Sequence, residues 1–145
     1  MEELVKHILA VASKNDKKIT QLQLHKISYF TIGYLIREGY DEIAENLYKD
    51  EYFEAWRYGP VLKKTYEKYK KYHSTPILDS GEISENLSLI NNLNETILKL
   101  ININVFNLVS ISHRNNFWSK NKNLIERNMK PKYSIDDIKE DFKNA

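Results

Sequence analysis

The sequence predicts a mainly α-helical protein, in which six or seven short helices form a single compact bundle around a buried central helix at residues 20–38. Apolar residues recur at spacings of three and four along most of the chain, which is typical of amphipathic helices. Capping signals precede several of these segments. The 145 residues contain no internal repeat and no Pro-, Gly- or Ser-rich linker. We therefore expect one domain over residues 1–145, with at most a minor strand or hairpin.

The first two helices have the clearest signals. Residues 2–13 place apolar side chains at helical spacing and predict an opening amphipathic helix. Thr20 and Gln23 then have the spacing of a capping box. The helix that follows is apolar almost all round, as expected of an enclosed helix, and should end just before Gly39. Gly33 in its interior costs ~1 kcal/mol relative to alanine, which indicates a close helix crossing.

The middle of the chain is less regular. Residues 41–52 predict a short acidic helical turn and then an extended approach to Phe53. The step from Gly59 to Pro60 indicates a turn. Because proline is favoured at the first helical position, a helix should run from Pro60 to about Tyr72.

Further helices are predicted in the second half. Apolar residues over 84–101 are spaced by three and four and predict one helix. Residues 105–112 predict another, with Asn104 as its cap. A third is expected within residues 119–128, and Ser134 is placed to cap a last helix.

The composition excludes several classes of function. The chain has no cysteine, which excludes disulfides, a thiolate nucleophile and Cys-ligated metals. No apolar run approaches the ~18–20 residues that span a bilayer. The N-terminus lacks the basic start of a signal peptide. We therefore expect a cytoplasmic protein with no membrane partner. The net charge of +2 argues neither for nor against a polyanionic partner.

Charge is unevenly distributed along the chain. Residues 41–54 carry six carboxylates against one lysine, whereas residues 57–72 carry six basic side chains against one glutamate. Two readings of this pattern remain open. The segments form two solvated faces of opposite sign, or they form a steering surface for a charged partner.

Signals for catalysis are missing. The four histidines, His7, His25, His73 and His113, have no partner at metal-binding spacing and are interpreted as satisfied side chains. No glycine-rich phosphate loop and no Gly-x-Ser-x-Gly elbow is present. We expect no enzymatic activity, no metal and no cofactor. The lysines of residues 57–72 could bind the phosphates of a nucleic acid. This segment lacks the Arg, Asn and Gln side chains at a helix N-terminus that recognise bases, so nucleic acid is not the expected partner.

Three separated blocks carry a family resemblance. Residues 24–30 resemble a Leu-x-Lys-Leu-Leu-Tyr-Phe run, and residues 53–61 match a Glu-Ala-Trp-x-x-Gly-Pro-Val core almost residue for residue. His113 followed by Trp118 resembles a His-then-Trp element. Together these blocks resemble the Panacea antitoxin domain, the family that includes the SocA-type proteolytic adaptors. The matching residues, interpreted as scaffold, are Leu24, Lys26, Tyr29, Glu54, Ala55, Trp56, Gly59, Pro60, Val61, His113 and Trp118.

The resemblance implies an antitoxin of a bacterial or phage toxin–antitoxin system. Such domains bind and silence toxins of unrelated types, including toxic small alarmone synthetases that pyrophosphorylate tRNA or nucleotides. The expected partner is a cognate protein toxin encoded by the adjacent gene. Two alternatives stay open: an adaptor that delivers a toxin to an ATP-dependent host protease, and a DNA-binding regulator.

Neutralisation by direct contact requires a binding surface. Protein interfaces favour tyrosine, tryptophan and arginine anchors. A toxin that binds nucleotide phosphates or tRNA should have a basic pocket, which the acidic segment at residues 41–54 could cover. The residues predicted to contact the partner are Tyr40, Glu45, Tyr48, Asp50, Glu51, Tyr52 and Arg57.

Overall fold

The computed structural model describes residues 1–143 and is mainly helical, with a single two-stranded antiparallel sheet in that part of the chain. The predicted fold class is confirmed. The helices are α1 (Glu2–Lys14), α2 (Gln21–Arg37), α3 (Asp41–Leu47), α4 (Lys63–Tyr69), α5 (Glu85–Ser88), α6 (Leu93–Ile101), α7 (Val105–Arg114), α8 (Asn116–Lys120), α9 (Lys122–Glu126) and α10 (Ile135–Lys143). The strands are β1 (Phe53–Trp56) and β2 (Gly59–Leu62), and a 3₁₀ turn at Lys70–Tyr72 follows α4.

Helix α2 is the central helix, as the sequence predicts. It packs against α1, α3, α6, α7, α10 and β2. The capping box is formed: the Gln23 amide donates to the Thr20 hydroxyl at 3.3 Å, and the Thr20 amide donates to the Gln23 side chain at 2.9 Å. After α2, Gly39 adopts a φ of +86° while the Tyr40 amide donates to the carbonyl of Leu35. This arrangement is a Schellman motif, and it ends α2 where the sequence predicts.

Aromatic and polar side chains fasten α2 to the C-terminal part of the bundle. The Tyr29 hydroxyl donates to Asp141 of α10 at 2.7 Å and accepts from Asn115 at 3.1 Å. The other carboxylate oxygen of Asp141 accepts the amide of Phe117 in α8. Three elements that are distant in sequence therefore share one buried hydrogen-bonded cluster.

The predicted helix from Pro60 is wrong at its start. Residues 59–62 form β2, in which Pro60 lies opposite Ala55, and α4 begins only at Lys63. Proline is tolerated here because β2 is an edge strand whose ladder does not need the missing N–H. The favourable first-turn position of proline is overridden by pairing with β1.

The predicted helix over residues 84–101 is divided in two. Helices α5 and α6 are separated by residues 89–92, where Asn92 adopts a left-handed φ of +61°. Asparagine enters this region at low cost. The apolar spacing was read correctly because Leu87, Ile97 and Ile101 are buried, but spacing alone does not reveal the interruption.

Residues 130–133, here called the strap, run along the free edge of β1. The Ala55 amide donates to the carbonyl of Pro131 at 2.8 Å, and the Tyr133 amide donates to the carbonyl of Phe53 at 2.9 Å. Glu54 and Lys132 form an isolated antiparallel bridge. The strap therefore covers the edge of β1 that β2 leaves open.

The helices within residues 1–143 are all too short or too polar to cross a lipid bilayer.

Candidate functional site

The three sequence blocks meet at the β1–β2 hairpin. Lys26 of α2 donates from Nζ to the carbonyl of Pro60 at 2.7 Å. Trp118 of α8 donates from Nε1 to the carbonyl of Trp56 at 2.8 Å. His113 stacks on Trp118 with 3.7 Å between ring centroids. Residues that are up to 92 positions apart in sequence thus form one cluster around the hairpin.

Gly59 allows the side chains of this cluster to pack closely against the hairpin. Its φ is +96°, a conformation that side chains with a Cβ rarely adopt. A Cβ at this position would lie 2.5 Å from the hydroxyl oxygen of Ser112 and 3.1 Å from Cε of Lys26. The glycine therefore allows the hairpin to approach α2 and α7.

Lys26 is fully buried at the base of the hairpin. Removal from water lowers the pKa of its side chain to about 7, because burial penalises the charged form. Burial also lowers the pKa of the neighbouring His25 well below its usual range, and the positive charge of Lys26 adds to that effect. His25 is therefore neutral at physiological pH.

Trp56 forms the outer face of the hairpin and is half-buried. Its indole nitrogen donates to the Glu54 carboxylate at 2.9 Å, and its ring lies edge-on to Tyr66 at 4.9 Å between centroids. The ammonium of Lys130 in the strap lies 4.4 Å from the centroid of the Trp56 ring, within the range of a cation–π interaction. The indole is thus held in one orientation by three neighbours.

A groove of about 750 Å³ opens beside Trp56. Its walls are mostly apolar and come from the hairpin, the start of α2, α4, the start of α7 and the segment around α9. Three large side chains at its edge, here called the rim residues, are exposed to solvent: Tyr58 (61%), Phe106 (61%) and Met129 (55%). Such a cluster of exposed apolar side chains is typical of a binding surface.

Two polar atoms in the groove lining have no hydrogen-bond partner within residues 1–143. They are Nε2 of His25 and Oε1 of Gln21, and both atoms are buried. Nδ1 of His25 accepts the amide of Leu62 at 3.2 Å, so the neutral ring carries its proton on Nε2. Two side chains of the groove lining therefore carry buried unpaired atoms, one a donor and one an acceptor.

The groove has a positive electrostatic character. Arg57 lines it and donates to the Asn128 side chain at 3.1 Å and to the Glu126 carbonyl at 3.3 Å. Lys130 contributes a second cation. No carboxylate is found among the described lining residues, so the groove suits an apolar partner with acidic neighbours.

The predicted partner-binding residues do not gather in one free acidic face. Glu51 is buried and accepts both the amide and the hydroxyl of Thr65. The Asp50 carboxylate accepts a hydrogen bond from the terminal ammonium of Met1 at 3.0 Å. Glu45 is exposed and forms an ion pair with Lys139 of α10.

The predicted tyrosines are each partly enclosed. Tyr48 donates its hydroxyl to the carbonyl of Tyr133 at 2.7 Å, and Tyr40 packs against the core. The Tyr52 ring lies beneath the ammonium of Lys132 at 4.4 Å. Of the seven predicted residues, Arg57 lines the groove.

Sequence reasoning missed most of the groove. His25 was interpreted as a satisfied side chain, and Gln21 was assigned no functional role. Phe106 offered one signal, because it falls outside the apolar stripe that buries Leu108 and Val109 of α7. Met129 lies in a loop, where no periodic pattern exists to reveal it.

No three His, Cys, Asp or Glu side chains in residues 1–143 lie close enough together to hold a metal ion. Comparison of the chain with protein-family models, curated proteins and solved structures found no match.

Proposed function

We propose that this protein is an antitoxin that neutralises a cognate protein toxin by binding it directly through the groove beside the β1–β2 hairpin. The observation that carries the proposal is the set of exposed rim residues around an apolar groove that is built on the hairpin. Aromatic anchors in a concave apolar surface are the usual energetic centre of a protein interface.

The assignment to a toxin–antitoxin system is supported by the resemblance to the Panacea domain. Its three blocks come from separate parts of the chain, and in the structure they share one set of contacts around the hairpin. The proposed partner is the product of the adjacent gene, with toxic small alarmone synthetases among the candidate classes. The lack of cysteine in this chain is compatible with a cytoplasmic setting.

Co-expression with the adjacent gene tests this proposal. The wild-type protein should restore growth of a bacterial host that expresses the toxin, and the two proteins should co-purify. A double variant of the rim, Tyr58→Ser with Phe106→Ser, should lose both effects because it removes the exposed aromatic anchors. Leu89→Ser is the matched control, since Leu89 is 84% exposed but does not line the groove.

The outcomes separate the alternatives. Unchanged growth arrest with the wild-type protein would contradict the antitoxin proposal. Rescue that disappears in a host without its ATP-dependent proteases would identify a proteolytic adaptor instead. Promoter binding that weakens steeply with salt, together with no rescue, would identify a DNA-binding regulator.

A further inference from the structure

The unpaired nitrogen of His25 identifies what the groove is suited to bind. His25 is 2% exposed, and its ring is fixed by the hydrogen bond from the Leu62 amide to Nδ1. The Nε2–H group is therefore a buried donor without a partner in the described chain, on a side chain that lines the groove. A buried donor that stays unpaired is costly, so a ligand that supplies an acceptor gains more than an ordinary surface hydrogen bond.

Gln21 provides the complementary acceptor. It precedes His25 by one helical turn, so the two side chains leave α2 on the same face. Nε2 of Gln21 donates to the carbonyl of His73 at 3.3 Å, which fixes the amide orientation and leaves Oε1 unpaired. A single ligand group that both accepts and donates, such as a hydroxyl, can satisfy the two atoms together.

The surrounding walls favour a flat ring as the carrier of that hydroxyl. Trp56 and Tyr66 lie edge-on to each other in the groove lining, and Val61 and Ile125 add aliphatic surface. Aromatic side chains pack well against such walls in stacked or edge-on geometry. A phenol combines the ring with a hydroxyl at its far end.

The rim indicates that the ligand belongs to a larger molecule. A small ligand within the groove would leave Tyr58, Phe106 and Met129 exposed, whereas a protein segment laid across the groove would cover them. Arg57 and Lys130 favour negative charge beside the inserted ring. The occupant that meets both conditions is an acidic polypeptide segment with an aromatic anchor.

We propose that the groove receives a tyrosine side chain from an acidic segment of the partner protein, with the tyrosine hydroxyl bound between Nε2 of His25 and Oε1 of Gln21. This inference rests on the proposed function, because it names the part of the toxin that the groove binds. Tyrosine is also among the residues most enriched at the energetic centres of protein interfaces.

Small mimics of such a tyrosine test the groove chemistry without the toxin. The probe is 3-(4-hydroxyphenyl)propionate, which carries a phenol and a carboxylate. The first comparison compound is 3-phenylpropionate, which lacks only the hydroxyl, and the second is tyramine, which carries an ammonium in place of the carboxylate. Binding is followed by NMR titration of the Trp56 indole and the Gln21 side-chain amide. Ligands of this size should bind with dissociation constants of about 1–10 mM.

The hydroxylated acid should bind at least about fivefold more tightly than 3-phenylpropionate, which corresponds to about 1 kcal/mol or more from the hydroxyl. Tyramine should bind more weakly than the acid because of Arg57 and Lys130. In His25→Asn the preference for the hydroxyl should disappear, since the asparagine oxygen can still accept the Leu62 amide but the Nε2–H donor is lost. An unchanged melting temperature would show that this variant keeps its fold.

Equal affinity for the acids with and without the hydroxyl would overturn the inference. So would the absence of shifts at Trp56 and Gln21 over the titration. A preference for the hydroxyl that persists in both His25→Asn and Gln21→Leu would place the phenol elsewhere and would also overturn it.

The toxin provides an independent second test. Each tyrosine of the co-purified toxin is replaced by phenylalanine in turn, and affinity is measured against wild type and His25→Asn. One such replacement should weaken binding about fivefold to wild type and have no effect with the variant, as in a double-mutant cycle. If the toxin is neutralised but no tyrosine behaves in this way, the inference fails while the proposed function stands. If the toxin is not neutralised, the proposed function fails. The small-molecule titration is then the remaining test of whether the groove binds a phenol.

Discussion

Lys26 shows how a single residue can connect the core with the hairpin. The Lys26 amine is buried, and it donates to the carbonyl of Pro60 rather than to a carboxylate. A buried amine without a countercharge titrates well below its solution range. The pKa of about 7 follows from this burial and makes the stability of the protein depend on pH.

Lys26→Met is expected to remove a rise in stability between pH 7.5 and 9.5. In this window the unfolded chain binds a proton at Lys26, whose unfolded pKa is about 10.4, whereas the folded protein has mostly released it. The unfolded state therefore binds more protons, and the free energy of unfolding should increase with pH by about 2–3 kcal/mol. Urea unfolding at several pH values measures this slope.

Lys68→Met is the control for this experiment, because Lys68 lies on the exposed side of α4. It should keep the wild-type slope. A wild-type free energy of unfolding that is flat over this window would contradict a largely neutral Lys26.

At the scale of elements, the crossing of α2 and α10 depends on a glycine. A Cβ at Gly33 would lie 2.3 Å from the ring of Phe142. The sequence predicts a close crossing at Gly33, because a glycine within a helix is otherwise unfavourable. The structure confirms this and identifies the Phe142 ring as the neighbour.

Gly33→Ala is expected to destabilise the protein by about 1–3 kcal/mol, although alanine is the better helix former, because the extra methyl group overpacks the crossing. Adding Phe142→Leu to this variant should recover part of the loss by making room. Thermal unfolding of the two single variants and the double variant measures the coupling. Strictly additive effects would show that the methyl group and the ring do not meet.

Periodicity and capping signals were sufficient to predict the helices that bury a continuous stripe of apolar side chains. Thr20, Asn104 and Ser134 cap α2, α7 and α10 through their side chains, as predicted. The sequence allowed for at most a minor hairpin but did not place it at residues 53–62, because the Gly59–Pro60 step was interpreted as a turn into a helix. A favourable local signal for a helix start was thus overridden by strand pairing.

At the scale of the whole molecule, two buried histidines make the fold sensitive to acid. His7 and His25 each accept a backbone amide at Nδ1, from Ser84 and Leu62 respectively. Burial is the main cause that lowers the pKa of both side chains below 6.5. A proton on Nδ1 would break these hydrogen bonds in two separate parts of the bundle.

Stability is expected to fall between pH 6.5 and 5. The unfolded chain takes up protons at both histidines in this range, whereas the folded protein resists protonation, so the free energy of unfolding decreases as pH falls. His25, whose pKa is lowered further than that of His7, should contribute the larger part of this fall. Urea unfolding of the double variant His7→Asn with His25→Asn should show a much flatter profile.

His73→Asn provides the comparison for the acid experiment, since His73 is exposed, and it should follow the wild-type curve. If the free energy of unfolding of the double variant falls as steeply below pH 6.5 as that of the wild type, groups other than these histidines cause the loss.

The candidate site was less predictable than the fold because it depends on which long-range partners the side chains find. The acidic segment looked free in sequence, but Glu45 meets Lys139, which lies 94 positions away. Glu51 similarly turns inward to Thr65. The groove, in contrast, combines residues from five parts of the chain that share no local pattern.

The strap has a consequence for synthesis of the protein on the ribosome. Lys132 lies 78 positions after Glu54, with which it forms the bridge that closes the outer edge of β1. A nascent chain therefore emerges with this edge open and keeps it open until residues 130–133 have also been made. Premature termination before Pro131 would release a product with an exposed strand edge, which is a template for aggregation.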